Sequence, residues 1–202
     1  PMNNEAKIAY FSMEIGLSND IPTYSGGLGV LAGDTIKSGA DLKVPLVAVT
    51  LLSKKGYFLQ DIDGDGRQIE YSVDWDPSRF MVCLPEKVVV QIEGRNVYIQ
   101  AWCYKVKSVT GGEVDVFYLD TDVAENATED REITAILYGG DVHYRLKQEI
   151  VLGIGGVRIL HTIGLHIKKY HMNEGHASLL TLELLLMHKR DVESVWDERW
   201  IW

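Results

Sequence analysis

The chain has 202 residues, of which 46% are hydrophobic and 24% are charged, and its formal net charge is −9. These proportions are typical of globular proteins and argue against intrinsic disorder, and the acidic balance offers no basic stripe for a nucleic-acid backbone. No apolar run approaches the roughly 18 residues of a membrane-spanning helix, and nothing at the start resembles a secretory signal. We therefore expect a cytoplasmic protein that binds neither membranes nor nucleic acid.

The beginning of the chain predicts a strand, a helix and a second strand. Apolar runs of strand length occupy 7–12 and 46–52, and apolar residues at helical spacing cover 30–42. A glycine-rich loop, 25–29, separates the first strand from the helix. A strand–helix–strand unit of this kind implies a right-handed crossover and a parallel sheet.

Residues from about 55 to 120 have the pattern of an antiparallel β insertion. Short apolar segments alternate there with hairpin-type turns such as Glu93–Asn96 and Gly111–Gly112. We expect its strands at 57–60, 68–73, 87–92, 96–107 and 114–119.

The remainder of the chain returns to helices and a strand. Helices are expected at 131–137, 144–163 and 177–189, with a strand at 166–172. Gly153–Gly156 lies inside the long helix and predicts close packing of a neighbour against it, since glycine otherwise weakens a helix. The expected fold is α/β, with a Rossmann-like, mostly parallel sheet and an antiparallel β insertion.

The two cysteines, Cys83 and Cys103, say little about function. They are too few for a disulfide scaffold and too far apart for a metal clip. Because free cysteines are usually buried, we expect two reduced, buried thiols.

The glycine loop is the first candidate site. Three glycines among Gly26, Gly27, Leu28 and Gly29 let the backbone approach a ligand closely. The unpaired N–H groups of the following helix, at the positive end of its dipole, suit phosphate or another anion. The spacing is neither GxGxxG nor a Walker loop. The alternative is an ordinary tight turn before a helix.

A second candidate, 61–66, imitates the opening of a calcium loop. The twelfth position of such a loop needs a bidentate glutamate and is Ser72 here, and helices do not flank the segment. A hairpin turn is therefore favoured, and no metal site is predicted.

The third candidate follows the predicted strand 166–172, where open α/β sheets bind ligands. Asn173, Glu174 and His176 bring an amide, a carboxylate and an imidazole together. The alternative is helix capping by Asn173, with Glu174 in the first turn. Glu14, after the first strand, and Asp141, in a glycine turn, are weaker candidates because each alone is more often a surface residue.

Four sequence blocks together resemble the α-glucan phosphorylase family, in its short bacterial and archaeal branch. They are Ala9–Glu14, Ser25–Ala32, Tyr144–Glu149 and Met172–His176. The resemblance implies the N-terminal half of a two-lobed glycosyltransferase of the GT-B type. It also implies retaining transfer of a terminal glucosyl unit from an α-1,4-glucan to inorganic phosphate.

The resemblance also assigns roles to residues. Gly26 and Gly27 would present N–H groups to the substrate phosphate, in agreement with the anion-binding interpretation of the loop. The residues that match positions beside the glucose subsite are Glu14, Asp141, Asn173, Glu174 and His176. Pyridoxal phosphate would sit on a lysine of a C-terminal lobe that this chain lacks. The implied partners are α-glucan and phosphate, and the exposed cleft face predicts self-association.

Some positions depart from the family pattern. Gly16 stands where many members have tyrosine, Val142 where they have asparagine, and the tryptophan-rich tail 195–202 does not match. We expect residues 1–202 to be an N-terminal lobe that is inactive alone. The alternatives are a lobe of a nucleotide-sugar-dependent glucan synthase, although Tyr24–Ser25 replaces the Lys-Thr usual there, and a non-catalytic carbohydrate-binding module.

Overall fold

The computed structural model describes residues 6–57, 59–71, 73 and 75–188. The predicted first unit is confirmed: strand β1 is Ile8–Phe11, helix α1 is Gly27–Asp41 and strand β2 is Leu46–Leu51. β1 and β2 pair in parallel, and every residue of β2 is buried, as expected for a strand covered on both faces. The tail 195–202 and the last predicted helical residue, 189, lie outside the described residues.

The middle of the chain supplies the antiparallel strands. The hairpin β3 (Leu59–Ile62) and β4 (Gln68–Tyr71) forms a separate two-stranded sheet. The longer strands β5 (Val82–Ile92), β6 (Arg95–Lys107) and β7 (Glu113–Asp120) instead join the sheet of β1 and β2.

One six-stranded sheet therefore contains both kinds of pairing. Its order is β5-β6-β7-β2-β1-β8, where β8 is Lys169–Met172. The pairs β7·β2, β2·β1 and β1·β8 are parallel, whereas β5·β6 and β6·β7 are antiparallel. β7 is the strand at which the sheet changes from one pairing to the other. Three strands of the segment 55–120 therefore extend the main sheet, whereas the β3–β4 hairpin stands apart from it.

Helices cover both faces of this sheet. α1 packs on one face, and on the other lie α3 (Val142–Ile150), α4 (Gly156–Thr162) and α5 (Leu180–Met187). A further short helix, α2, is Thr128–Arg131. A π-helical turn, Val151–Gly155, joins α3 to α4. The predicted helix 144–163 is thus confirmed as one helical segment.

The glycines in that segment provide close packing, as predicted. A Cβ on Gly156 would lie 2.6 Å from a ring carbon of Phe11, and one on Gly153 would lie 2.7 Å from the backbone nitrogen of Leu180. Real Cβ atoms essentially never lie closer than 3.0 Å to such an atom, so a side chain at either glycine would force the neighbouring atoms of β1 or α5 to shift.

The predicted helix 131–137 is wrong. The helix in this region is α2, which ends at Arg131, and turns follow it to the start of α3. The side-chain amide of Gln148 donates to the carbonyl oxygens of Ile133 and Ile136, each at 2.9 Å. Because a buried side chain satisfies these carbonyls, the segment does not need helical hydrogen bonds.

The prediction of two buried thiols is also wrong, although both cysteines are free. Cys83 is exposed and Cys103 is half-buried. Cys83 lies near the start of β5, next to the point where its pairing with β6 shifts register. Burial raises the pKa of the Cys103 thiol to about 12, so this group is a weak nucleophile at neutral pH.

Among the residues with a described position, no helix is both long enough and apolar enough to cross a membrane.

Candidate functional site

The carboxyl ends of two neighbouring parallel strands define the candidate site. β1 pairs with β8 in the register Phe11 with Met172, and the backbone N–H of Asn173 donates to the carbonyl of Phe11 at 2.8 Å. Glu14 and Asn173, which follow these strands, therefore come to the same edge of the sheet. This is the edge at which open α/β sheets bind ligands.

The Asn173 side chain links this edge to the glycine loop. It is 7% exposed, and its amide nitrogen lies 3.2 Å from Ser12 Oγ and 3.5 Å from the carbonyl oxygen of Leu28. Glu174, and not Asn173, precedes the short 3-10 turn Gly175–Ala177, and it makes no side-chain cap. The interpretation of Asn173 as a helix cap is therefore wrong, and its side chain instead joins three segments of the chain.

Glu14 is buried at the start of α1, with 3% of its surface exposed. Its Oε2 accepts hydrogen bonds from the backbone N–H groups of Ser25, at 2.5 Å, and Gly26, at 3.2 Å. Its Oε1 accepts a hydrogen bond from the hydroxyl of Tyr138 at 3.0 Å. The chain therefore places its own carboxylate against part of the loop that the sequence assigned to an anion.

The remaining loop amides are in the first turn of α1. Gly26 is the N-cap residue and provides no side-chain cap. The N–H groups of Gly27, Leu28 and Gly29 have no acceptor inside the helix, because the first turn of any helix lacks them. A Cβ on Gly26 or Gly27 would meet no atom within 4 Å. The loop is thus open to a ligand at Gly26 and Gly27.

Two other glycines serve packing instead. A Cβ on Gly29 would lie 2.5 Å from Tyr24 Cβ and 2.9 Å from Glu14 Oε2. One on Gly33 would lie 1.9 Å from the backbone oxygen of Gly16. These glycines let α1 lie directly against the segment after β1, which seats the Glu14 carboxylate under the loop.

A second group of side chains, Tyr138, Arg145 and His176, lies next to Glu14. The Tyr138 ring lies 5.8 Å from the ring of His176, and the Arg145 guanidinium lies 5.4 Å from the Tyr138 ring centroid. Burial, followed by the neighbouring Glu14 carboxylate, raises the pKa of Tyr138. Tyr138 therefore stays protonated and acts as the donor to Glu14.

Sequence reasoning did not single out Tyr138 or Arg145. A signal was present for both: Tyr138 directly precedes the Gly139–Gly140 turn, and Arg145 lies within the block Tyr144–Glu149 that supports the family resemblance. Neither has a spacing that identifies a site by itself.

Glu174 has a strained backbone. Its φ of 66° and ψ of −171° lie in a region that is nearly exclusive to glycine and costs on the order of 1–3 kcal/mol. Its side chain is 61% exposed, and its Oε2 lies 4.0 Å from His176 Nδ1. Strain of this kind is typical of functional sites, so it supports a role for this segment beyond chain reversal.

Asp141 has a structural role in its own helix. It is the N-cap of α3, and its Oδ1 accepts a hydrogen bond from the backbone N–H of Tyr144 at 2.9 Å. This hydrogen bond is the main cause that lowers the pKa of Asp141. Its predicted place beside a glucose subsite stays a prediction.

The calcium-like segment 61–66 is a hairpin turn, as predicted. It joins β3 to β4, and Asp63 Oδ1 accepts hydrogen bonds from the backbone N–H groups of Asp65 and Arg67 at 2.9 and 2.8 Å. Within the described ranges, no group of three or more histidine, cysteine or acidic side chains is arranged to hold a metal ion.

Comparison with known proteins gives consistent relatives. The chain is 41% identical over 194 residues to the maltodextrin phosphorylase of Thermococcus litoralis, which covers 93% of this chain. It is 43% identical over 189 residues to the glycogen phosphorylase of Mycobacterium tuberculosis, covering 87% of this chain. It is 35% identical over 203 residues to the glycogen phosphorylase of Aquifex aeolicus, covering 95% of this chain. No protein-family model matches the chain.

These alignments confirm the resemblance inferred from the four sequence blocks. Nearly the whole chain is homologous to a part of proteins named maltodextrin or glycogen phosphorylase. The chain spans about a quarter of their length, namely 23%, 21% and 28%.

Proposed function

We propose that this chain is the N-terminal lobe of an α-1,4-glucan phosphorylase with a two-lobed, GT-B type glycosyltransferase fold. The observation that carries the proposal is the meeting of three sequence blocks at one edge of the sheet. Glu14 after β1, the loop before α1 and Asn173 after β8 are joined there by hydrogen bonds. The homologous relatives supply the reaction: transfer of a glucosyl unit from the glucan to phosphate.

The glycine loop is the proposed phosphate site. Gly27 is exposed, and its N–H and that of Leu28 are in the first turn of α1, where the helix dipole favours an anion. Gly26 contributes an open surface, while its N–H is bound to Glu14. Gly29 contributes close packing, because a side chain there would collide with Glu14.

The sugar would lie beside Asn173, Glu174 and His176. Glu14 accepts four hydrogen bonds and is buried, so it is neither a free nucleophile nor a solvated general base. A retaining glycoside hydrolase would need a pair of available carboxylates about 5 Å apart. Transfer to phosphate needs instead a dry, positively polarised site for the attacking anion.

The family resemblance also implies pyridoxal phosphate, on a lysine outside this chain. The open amides at Gly27 and Leu28 suit a phosphate group, which we assign to the substrate and not to the cofactor. When bound, the cofactor phosphate supplies a proton relay to the substrate phosphate. The contribution of this chain is to hold and orient anionic oxygens beside the sugar. A cytoplasmic location and self-association are further parts of the proposal.

A chimera tests this function. This chain replaces its aligned segment in the maltodextrin phosphorylase of Thermococcus litoralis, and the assay measures phosphate-dependent release of glucose 1-phosphate from maltodextrin. We expect the chimera to be active, and Gly27→Val to abolish turnover by covering the loop amides. Gly64→Val is the matched control, because Gly64 is equally open but lies in the β3–β4 turn.

The outcomes separate the alternatives. A folded chimera without phosphorolysis would contradict the proposal as a whole. Full activity of the Gly27→Val chimera would remove the phosphate-binding role of the loop. Incorporation of glucose from ADP-glucose or UDP-glucose would support the synthase alternative, and glucan binding without either reaction would support the carbohydrate-binding module.

A further inference from the structure

The main sheet has two edge strands, β5 and β8, and the first of them is protected against pairing with another chain. β5 includes Pro85 and has a register shift between Cys83 and Lys87. A guanidinium nitrogen of Arg158 also donates to the carbonyl oxygen of Val89, in β5, at 2.5 Å. Proline, bulges and covering groups are the usual means by which proteins keep an edge strand from pairing further.

β8 has a regular edge instead. It pairs with β1 without a register shift, and among the described residues no strand pairs with its other side. The N–H groups of Lys169 and Asn173 donate to carbonyl oxygens at or next to the two ends of β1, at 3.1 and 2.8 Å. Because these groups alternate along a strand, the N–H and C=O groups of Tyr170 and Met172 point away from β1. This outer side of β8 can accept a further strand.

The charges at the two ends of β8 indicate which strand fits. Lys168 precedes the strand and Glu174 follows it, and both residues are exposed. A second copy of β8 running parallel in the same register would bring lysine next to lysine. An antiparallel second copy would bring Lys168 of each chain next to Glu174 of the other, and opposite charges across two strands are favourable. The edge is therefore complementary to itself about a two-fold axis, as the interface of a symmetric dimer must be.

One register satisfies both the backbone and the charges. Tyr170 of one copy lies opposite Met172 of the other, so that these residues exchange N–H and C=O hydrogen bonds. Counting outward from this pair, Lys168 lies opposite Glu174 of the second copy. His171 lies on the two-fold axis, opposite His171 of the second copy. This is a pair without mutual hydrogen bonds, in which the two Cα atoms are about 4.5 Å apart.

We propose that the chain forms a two-fold symmetric dimer in which β8 pairs antiparallel with β8 of a second copy, and Lys168 of each copy pairs with Glu174 of the other. The two six-stranded sheets then become one continuous sheet. The proposal gives the expected self-association a defined surface. It uses no part of the proposed reaction, so each of the two can fail without the other.

The first experiment is sedimentation velocity on the 202-residue chain from about 10 to 500 µM, the range in which a small interface is populated. We expect a monomer–dimer equilibrium. Met172→Pro removes an outward N–H that β1 does not use, so the strand should remain and the dimer should be lost. Met172→Ala is the matched control, because it keeps this N–H and should still form the dimer. Circular dichroism checks that both variants are folded.

A charge exchange tests the register without proline. Lys168→Glu or Glu174→Lys alone places like charges opposite each other twice in the dimer, and each should raise the dissociation constant about tenfold. The double variant Lys168→Glu/Glu174→Lys exchanges the partners of each pair and should restore the wild-type value.

A disulfide locates the two-fold axis. In a Cys83→Ser background, His171→Cys should form a disulfide between two chains on mild oxidation, because the expected Cα separation lies within the range of disulfides. Lys169→Cys is the matched control. In the proposed register its copies are four positions out of alignment, or about 13 Å apart, which is too far for a disulfide.

The contrary results are distinct. A wild-type chain that is monomeric at every concentration, or a dimer that persists in Met172→Pro, would overturn the proposal. Failure of the double charge variant to recover, or a disulfide from Lys169→Cys and not from His171→Cys, would overturn the antiparallel register. A monomeric chain that forms an equimolar complex with the remaining part of the Thermococcus litoralis maltodextrin phosphorylase would overturn the second copy as the occupant and assign this edge to another segment of a longer protein.

Discussion

Replacing Glu14 by alanine should destabilise the chain more than the milder changes to the Glu14 hydrogen-bond network. The substitution leaves four donors without their acceptor: the backbone N–H groups of Ser25 and Gly26, the Ser25 hydroxyl and the hydroxyl of Tyr138. Hydrogen bonds to a charged group contribute about 1.5–3 kcal/mol each when buried. Ser25 and Gly26 are exposed and regain bonds to water, so we take the lower end and expect a total loss of about 3 kcal/mol.

Two milder variants divide this loss. Glu14→Gln keeps an amide oxygen for the loop N–H groups and should lose about 1 kcal/mol, the difference between charged and neutral acceptors. Tyr138→Phe removes one donor only and should also lose about 1 kcal/mol. Glu70→Ala is the control, because Glu70 is exposed on β4 and its loss should stay within about 0.5 kcal/mol.

The measurement is urea unfolding followed by far-ultraviolet circular dichroism, with the free energy taken by linear extrapolation. The expected order of destabilisation is Glu14→Ala first, Glu14→Gln and Tyr138→Phe together, and Glu70→Ala last. If Glu14→Ala matched the Glu70→Ala control, the carboxylate would not hold the loop, and the description of the site edge would be refuted.

Three further changes test other parts of the structure. Gly33→Ala should cost about 3 kcal/mol or more in urea unfolding, because its Cβ would lie 1.9 Å from a backbone oxygen, whereas Gly64→Ala, at an open position, should be neutral. Asp130 is buried against Arg95, and the hydrogen bonds from Arg95 lower the pKa of Asp130. The ionised Asp130 therefore stabilises the fold above pH 4, and this stabilisation is lost as the pH falls through the pKa of the folded state. Asp130→Asn should flatten the acid limb of a plot of unfolding free energy against pH. Glu174→Gly should raise the melting temperature by a few degrees, since relief of about 1–3 kcal/mol of strain exceeds the added chain entropy of about 0.5–1 kcal/mol. A lower melting temperature would show that the backbone there is not strained.

The strand most directly predictable from the sequence is β2, which lies inside the sheet. β2 is a continuous apolar run because both of its faces are covered, and its pattern needs no tertiary information. The segment 131–137 failed for the opposite reason. Its apolar residues fit a helix, but the buried side chain of Gln148, in α3, satisfies two of its carbonyl groups. The contact joins residues 12–15 positions apart, and no local sequence pattern predicts it.

The sheet topology shows the same limit. Hairpin turns in the middle of the chain correctly indicated antiparallel strands. The parallel pairing of β7 with β2 joins residues more than 60 positions apart. The sequence of one strand does not predict which other strand will pair with it. The sequence therefore predicted the kinds of element in 55–120 but not that three of them continue the main sheet.

The site was predictable in its location and not in its internal bonds. Strand ends and a glycine loop indicated Glu14, Asn173 and the start of α1, because backbone patterns are local. Tyr138 and Arg145 lie in a turn and a helix more than 120 positions after Glu14. Only their side chains reach the site, where Tyr138 binds Glu14 and Arg145 lies over the Tyr138 ring. Such contacts follow from packing, which one sequence does not reveal.

The glycine loop combines two requirements that a single sequence motif cannot separate. Gly26 and Gly27 have open space where a side chain would be, which is what a ligand needs in order to approach the backbone. Gly29 has Tyr24 and Glu14 in that space, so it is fixed by packing inside the chain. The Glu14 carboxylate lies against the positive end of the α1 dipole on its buried side. An anionic ligand can then approach the start of α1 only from the open side, at Gly26 and Gly27. The proposed phosphate binding therefore depends on the open position at Gly27, whereas a side chain at Gly29 is excluded by the packing of Tyr24 and Glu14.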